Sequence, residues 1–178
     1  MNGSSYAVTS NLEAALRRPR RPNKLRAVWV DALCTDQEND EEREKQVQIM
    51  REIYENAPEV IVWLGDESPS TNCAMEFLDL ASRQKNPRDW FVRSVIKRGL
   101  TYQEQWKAVI LLVRKQYWPR VWIIQEIGYA SRLAVMCGSK VVLWEVIVSC
   151  QSAWVEVRDR PISQNLRSHL PAMGEYRI

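Results

Sequence analysis

The feature that most constrains the fold is a pair of short apolar runs separated by a helical segment. The runs are "AVWVDAL", residues 27–33, and "EVIVWLG", residues 59–65, and both are rich in β-branched and aromatic residues. Such composition is typical of buried strands. Strand, helix, strand predicts a βαβ unit with a parallel sheet covered on both faces, so the predicted class is α/β. Apolar residues recur between the runs at helical spacing: Val47, Met50, Ile53, Tyr54 and Ala57.

The rest of the chain divides into helical segments and a second pair of strands. "SNLEAALRR" predicts a short helix that ends near Pro19, and residues 66–116 predict a helical insertion. A helix from Arg120 precedes two strands, "RLAVMCG" and "KVVLW", and a last helix, "EVIVSCQSAWVEV". We predict one domain over residues 1–160 and a polar C-terminal tail over residues 161–178. Four tryptophans are predicted to be core residues: Trp29, Trp63, Trp118 and Trp144.

Composition excludes several functional classes. The four cysteines lie far apart, without a CxxC pair, and the chain has one histidine. This pattern predicts no zinc site and no disulfide framework, and it indicates reduced thiols in a cytosolic or nuclear protein. We predict a cytoplasmic location. No apolar run approaches the length of about 18 residues that a membrane span needs. The N-terminus lacks the features of a signal peptide.

A basic run, Arg17–Arg26, allows two interpretations. It resembles a nucleic-acid or nuclear-import patch in charge, yet aromatic residues for base stacking are missing nearby. A solvated helix end followed by a loop is the other interpretation, and we favour it because of this lack of stacking aromatics. Nucleic acid is therefore not an expected partner.

The remaining chemistry centres on a glutamate. The chain lacks a GxGxxG turn and a phosphate-binding P-loop, and its single histidine gives no support for a catalytic triad. Trp118, Trp122 and Glu126 recur every four residues and would share one face of a largely apolar helix. A carboxylate in such a helix needs a partner or a cleft. The alternatives are a ligand site at Glu126 and a structural pair with a buried arginine, for instance Arg120 or Arg43.

Two long segments identify a family. "VWVDALCTDQENDEEREKQVQIMREIYENAPEVIVWLG" resembles the central signature of the fungal heterokaryon incompatibility (HET) domain, and "YWPRVWIIQE" is similar to its second motif. Cys137, Gly138 and Trp144 also stand where the family expects them, so the resemblance covers roughly residues 7–146. Thr35 replaces the usual isoleucine. The family's opening strand, with its Ser-Tyr and Trp-Gly motif, is not found, which predicts an N-terminally truncated HET domain.

The resemblance also implies a fold and an activity. HET domains are similar to Toll/interleukin-1 receptor (TIR) domains, which implies a parallel, flavodoxin-like sandwich with the helical insertion. Catalytic TIR domains cleave the nicotinamide–ribose bond of NAD with a glutamate that aligns with Glu126. The reaction needs neither a metal nor a further cofactor, because NAD is the substrate. The family implies a role in vegetative incompatibility and programmed cell death, as part of fungal innate immunity.

The resemblance and the strand-end positions together give the candidate site. Glu126 is the candidate catalytic residue. The candidate substrate-binding residues are Trp122, Asp31, Cys34, Asp36 and Gln37. The structural motif residues are Arg43, Arg120, Gln125, Trp63 and Gly65.

Alternatives remain open for the protein and for single residues. The chain could be a non-catalytic module that signals by self-association or by binding other incompatibility proteins, or an inactive fragment. Asp31 could cap a strand end instead of binding substrate. Cys34 could be a small buried filler instead of a nucleophile.

Overall fold

The computed structural model describes residues 7–20, 27–36, 38–96, 101–120 and 123–159. The predicted tail, residues 161–178, lies outside them, as do Gln37 and Trp122. The elements in chain order are α1 (Ser10–Arg17), α2 (Asp31–Cys34), α3 (Asp40–Asn56), β1 (Val60–Trp63), α4 (Pro69–Ser82), α5 (Pro87–Ile96), α6 (Gln103–Val113), α7 (Ile123–Tyr129), β2 (Leu133–Cys137), β3 (Lys140–Leu143) and α8 (Trp144–Asp159). The predicted α/β class is confirmed.

The chain forms two compact units. The first comprises Met1–Val60 and Val121–Leu133, and the second comprises Ile61–Arg120 and Ala134–Ile178. In the first unit, α3 and α7 pack together. In the second, α4 packs on α6 and β3, while α5 packs on α8.

The predicted strand over residues 27–33 is wrong. Residues 27–30 have no regular structure, and Asp31 begins the short helix α2. A negative side chain is favourable at a helix start, because the first N–H groups carry partial positive charge. Strand propensity depends on pairing with a neighbour, and this run pairs with no strand in the described part of the chain. Instead, Trp29 meets the Tyr54 ring edge-on, with centroids 6.0 Å apart.

The sheet has three strands in the order β1-β2-β3. The Val60 N–H donates to the Arg132 carbonyl and the Leu64 N–H to the Met136 carbonyl, both at 2.8 Å. Because the bonded positions advance together along β1 and β2, these strands are parallel. β3 returns antiparallel to β2, with Val135 opposite Val142. The β1, β2 and β3 segments are confirmed where the sequence predicted them, but the sheet is mixed, not parallel throughout.

Residues 66–116, predicted to be a helical insertion, contain α4, α5 and α6, which supply an aromatic core to the second unit. Trp106 is 2% exposed and lies within 5.4–5.8 Å, centroid to centroid, of three other rings, those of Phe77, Phe91 and Trp154. Its indole N–H donates to the Ser94 hydroxyl at 3.3 Å, and that hydroxyl donates to the Phe91 carbonyl at 2.7 Å. The polar atoms of this core are thereby satisfied.

The four tryptophans that were predicted to be core residues are less buried than predicted. Trp29, Trp63, Trp118 and Trp144 are all half-buried, whereas Trp106 and Trp154 are buried. Trp118 stacks on Trp144 at 5.8 Å and donates its indole N–H to the Leu112 carbonyl at 2.8 Å. A tryptophan at the edge of a core keeps its ring packed and its polar atom bonded without full burial.

Candidate functional site

Two helix-to-strand connections of the first unit lie side by side. α3 reaches β1 through residues 57–59, where Pro58 prevents the helix from continuing. α7 reaches β2 through residues 130–132. The Ser131 hydroxyl donates to the Ala57 carbonyl at 3.2 Å, and Arg132 forms a 3.0 Å ion pair with Glu59. α3 and α7 therefore pack together, and the connections that follow them are bonded to each other.

Glu126 lies on α7 and is half-buried. One turn before it, Ile123 is 6% exposed and belongs to the core of the unit. One turn after it, the Tyr129 ring lies 5.0 Å from the Arg51 guanidinium carbon of α3. The helix that carries Glu126 therefore contacts the rest of the unit one turn before this residue and one turn after it. Glu126 itself remains partly exposed to solvent.

Arg51 connects the two helices electrostatically. Its Nε donates to the Glu55 carboxylate at 2.8 Å within α3. The pKa of Arg51 is raised above its ordinary value, first by this hydrogen bond and then by the charges of Glu55 and Tyr129. The guanidinium is consequently a fixed cation beside the helix that carries Glu126.

The candidate substrate-binding residues that are described lie on and after α2. Asp31 and Asp36 are exposed and accept backbone hydrogen bonds: Asp31 from the Ala32 N–H at 2.7 Å, and Asp36 from the Glu38 N–H at 3.0 Å. The Asp36 N–H donates to Glu42 of α3 at 3.0 Å, which fixes this loop to the start of α3. The loop and α7 are thus both attached to α3, at different points along it.

Cys34 is exposed at the end of α2, so its interpretation as a buried filler is wrong. The other three cysteines lie in the second unit. Burial raises the pKa of the Cys150 thiol strongly, and burial followed by nearby Glu76 raises the pKa of Cys73. Of the four cysteines, Cys34 is therefore the one whose thiol is most accessible to solvent.

The structural motif residues lie apart from one another. Arg43 forms a 2.9 Å pair with Asp40, and the Arg120 guanidinium lies 5.4 Å from the Tyr117 ring centroid. Both arginines are exposed. Gln125 lies on α7, next to Glu126 in sequence.

The motif glycines have a structural explanation. Gly65, at φ 95°, and Gly138, at φ 57°, take backbone angles that favour glycine, and the Gly138 N–H donates to the Gly65 carbonyl at 2.9 Å. The Glu67 carboxylate accepts from the N–H and the hydroxyl of Ser139, each at 3.1 Å. A Cβ on Gly138 would overlap the Glu67 side chain. Trp63, half-buried in β1, precedes this turn.

Sequence reasoning missed two polar residues on the buried faces of helices. The side-chain oxygens of Gln46 and Gln105 are buried and accept no hydrogen bond within the described structure. Gln46 lies on α3, the helix that packs against α7. Its signal in the sequence was the spacing of four residues from Met50, the buried residue of α3.

Within the described ranges, no group of three or more histidine, cysteine, aspartate or glutamate side chains is arranged to hold a metal ion. The same ranges contain no helix long and apolar enough to cross a membrane.

Comparison with known proteins defines the class of the chain. Residues 1–126 match the family model of the heterokaryon incompatibility protein (HET), which covers well over half of the 178 residues. The chain belongs to the HET family, as its two motifs predicted. The chain is also similar to heterokaryon incompatibility protein 6, OR allele, of Neurospora crassa, with 29% identity over 170 residues.

That match covers 79% of this chain and 25% of the Neurospora protein, so this chain spans about a quarter of its relative's length. No solved structure matches the chain at a significant level.

Proposed function

We propose that this HET-family protein acts in fungal heterokaryon incompatibility, in the cytoplasm, through NAD hydrolysis that leads to cell death. Family membership and the name of the Neurospora relative support the incompatibility role. The observation that carries the chemistry is the half-buried Glu126 on a helix fixed against α3. The parallel pairing of β1 with β2, each preceded by a helix, supports a TIR-like arrangement.

The proposed reaction breaks the bond between the nicotinamide nitrogen and the ribose C1′. The electron pair of that bond leaves with nicotinamide, and positive charge develops on the ribose. The Glu126 carboxylate stabilises this oxocarbenium character from a partly desolvated position. Water then adds to C1′ and releases a proton, giving ADP-ribose. Asp31, Cys34, Asp36 and Gln37 are the proposed substrate contacts, with Trp122 as a wall of the site.

The test replaces the carboxylate with its closest neutral equivalent. In the Glu126→Gln variant we expect nicotinamide release from NAD to fall at least about 100-fold, since the charge opposite the developing cation is lost. Glu52→Gln is the matched control, because Glu52 is an exposed glutamate on α3 of the same unit. Chromatography measures the nicotinamide that each variant releases, and Glu52→Gln should release as much as the wild type. Equal release by Glu126→Gln and Glu52→Gln would contradict the proposal.

A non-catalytic module that signals by self-association is the second candidate. The observation that favours it is apolar surface on β3 of the second unit, where Val141 is 46% exposed and Leu143 is 38% exposed. Light scattering of the wild type and a Val141→Lys, Leu143→Lys double variant tests it. A concentration-dependent oligomer that the double variant abolishes, in a protein that releases no nicotinamide, would support this candidate over the enzyme.

A further inference from the structure

The first helix of the chain is amphipathic and has no fully buried residue. α1 follows Thr9, whose hydroxyl accepts from the Leu12 N–H at 3.3 Å. Leu12, Ala15 and Leu16 recur at helical spacing and share one side of α1, where all three are half-buried. No other described helix or strand packs extensively against α1. Because a helix of 8 residues is marginal alone in water, further burial of this side would stabilise it.

The residues that end α1 and follow it are strongly basic. Residues 17–26 contain no carboxylate, although the net charge of the whole chain is only +3, and their cations are Arg17, Arg18, Arg20, Arg21, Lys24 and Arg26. Those that the structure describes, Arg17, Arg18 and Arg20, are exposed. Arg17 forms a 2.7 Å ion pair with Glu13. A pair between two exposed groups is weak, so this guanidinium can also bind another anion.

We propose that α1 and the cations that follow it bind an anionic membrane surface peripherally. Leu12, Ala15 and Leu16 lie at the boundary between headgroups and acyl chains, and the three described arginines bind the phosphate and carboxylate groups of the lipids. A short amphipathic helix joined to a basic cluster has the chemistry that anionic lipids select. Long arginine side chains reach the headgroups while the helix lies in the plane of the interface. This inference does not depend on the proposed hydrolysis.

Nucleic acid is the other polyanion that a basic segment can bind, and it fits this region less well. Proteins that bind single strands stack the bases on aromatic side chains, and residues 10–26 contain none. The phosphate backbone of a duplex is bound by charge, so it gives the apolar side of α1 no partner. A lipid interface buries that side as well as binding the arginines. The two partners therefore predict different results when the leucines of α1 are changed.

Flotation of the full chain with lipid vesicles tests the proposal. We expect binding to phosphatidylcholine vesicles that contain about one-third phosphatidylserine, and little binding to phosphatidylcholine alone. The triple variant Arg17→Gln, Arg18→Gln, Arg20→Gln should bind the anionic vesicles about 100-fold more weakly, because three cations at the surface are lost. The double variant Leu12→Gln, Leu16→Gln should bind at least about tenfold more weakly, because the apolar contact is lost. Glutamine keeps the helix propensity of leucine closely.

Three cations in the second unit provide a matched control. Arg83, Lys85 and Arg88 are exposed and lie within one short stretch between α4 and the first turn of α5. Replacing all three with glutamine removes the same net charge as the arginine variant of α1. This control variant should bind anionic vesicles as the wild type does. Binding is compared among samples whose circular dichroism matches that of the wild type.

Three results would overturn the proposal: no preference of the wild type for the anionic vesicles, an equal loss of binding in the control variant, or full binding by the leucine variant. Retention of the chain on double-stranded DNA measures the competing partner. If the arginine variant lost that retention, and the leucine variant kept both DNA and vesicle binding, the basic segment would be a nucleic-acid site and the membrane proposal would be refuted.

Discussion

The two compact units of this protein differ in how they are held together. The second contains a continuous network of buried or half-buried rings: Phe77, Trp90, Phe91, Tyr102, Trp106 and Trp154. Among the described residues of the first, the buried apolar side chains are Met50, Val60, Ile123 and Leu133. The first unit also contains bonds between distant chain segments, such as the Arg132–Glu59 pair.

This difference separates a scaffold from the part that carries the candidate chemistry. Glu126 and the loop after α2 both belong to the first unit, which has the smaller described core. Regions with few buried apolar contacts open at lower free energy than tightly packed regions.

The strongest test of the comparison removes one tryptophan from each unit. Trp106→Ala should lower the free energy of unfolding by about 3–5 kcal/mol, because it leaves a cavity among three packed rings. Trp29→Ala should cost about 1 kcal/mol, since Trp29 is half-buried and meets Tyr54 at its edge. Urea denaturation followed by circular dichroism measures both. Equal losses would mean that the two units are packed equally well.

A second test exchanges glycine for alanine in each unit. Gly138→Ala should destabilise by about 2–3 kcal/mol, because Gly138 has φ 57° and an added methyl group would overlap Glu67. Gly128→Ala should instead stabilise by about 0.5–1 kcal/mol, because Gly128 is helical and has open space around its Cα. Thermal unfolding should show a lower melting temperature for Gly138→Ala and a higher one for Gly128→Ala. A destabilised Gly128→Ala would show that the face of α7 bearing Gly128 is packed.

The sequence predicted the local elements better than their pairing. The β1 and β2 runs formed strands because each found a parallel neighbour in the other, and apolar composition was sufficient to locate them. The run 27–33 has the same composition but pairs with no described strand, and Asp31 instead starts a helix. Residue type fixes strand propensity only when tertiary pairing agrees with it.

The candidate site was predicted from motifs, so the prediction included only residues that the motifs contain or adjoin. The motif identified the family and directed attention to Glu126, but it could not reveal that Gln46 carries a buried, unpaired oxygen. Trp29 and Trp63 were predicted to be core residues because they are large aromatics, although the tryptophans that are buried among the described residues, Trp106 and Trp154, lie outside both motifs. Burial depends on which helices pack together, and a single sequence contains no direct record of that packing.

We expect the smallest effect on stability from the residues that cap the start of one helix in each unit. α4 in the second unit begins with a reciprocal capping box: the Thr71 N–H donates to the Ser68 hydroxyl at 3.1 Å, and the Ser68 N–H donates to the Thr71 hydroxyl at 2.7 Å. α3 in the first unit begins with a single such bond, from the Glu42 N–H to Asn39 at 3.1 Å. Thr71 is 7% exposed, so water cannot replace its partner readily.

Ser68→Ala should therefore cost about 1–2 kcal/mol and Asn39→Ala about 0.5–1 kcal/mol. Conservative replacements, Ser68→Thr and Asn39→Asp, keep an acceptor and should cost little, which separates capping from general disruption. Amide hydrogen exchange of the first turn of each helix locates the change, since fraying after loss of a cap is confined to that turn. If Asn39→Ala proved the more costly of the two, the start of α3 would be a principal anchor of the first unit. Its stability would then depend on the acidic loop between α2 and α3 more than on its few buried side chains.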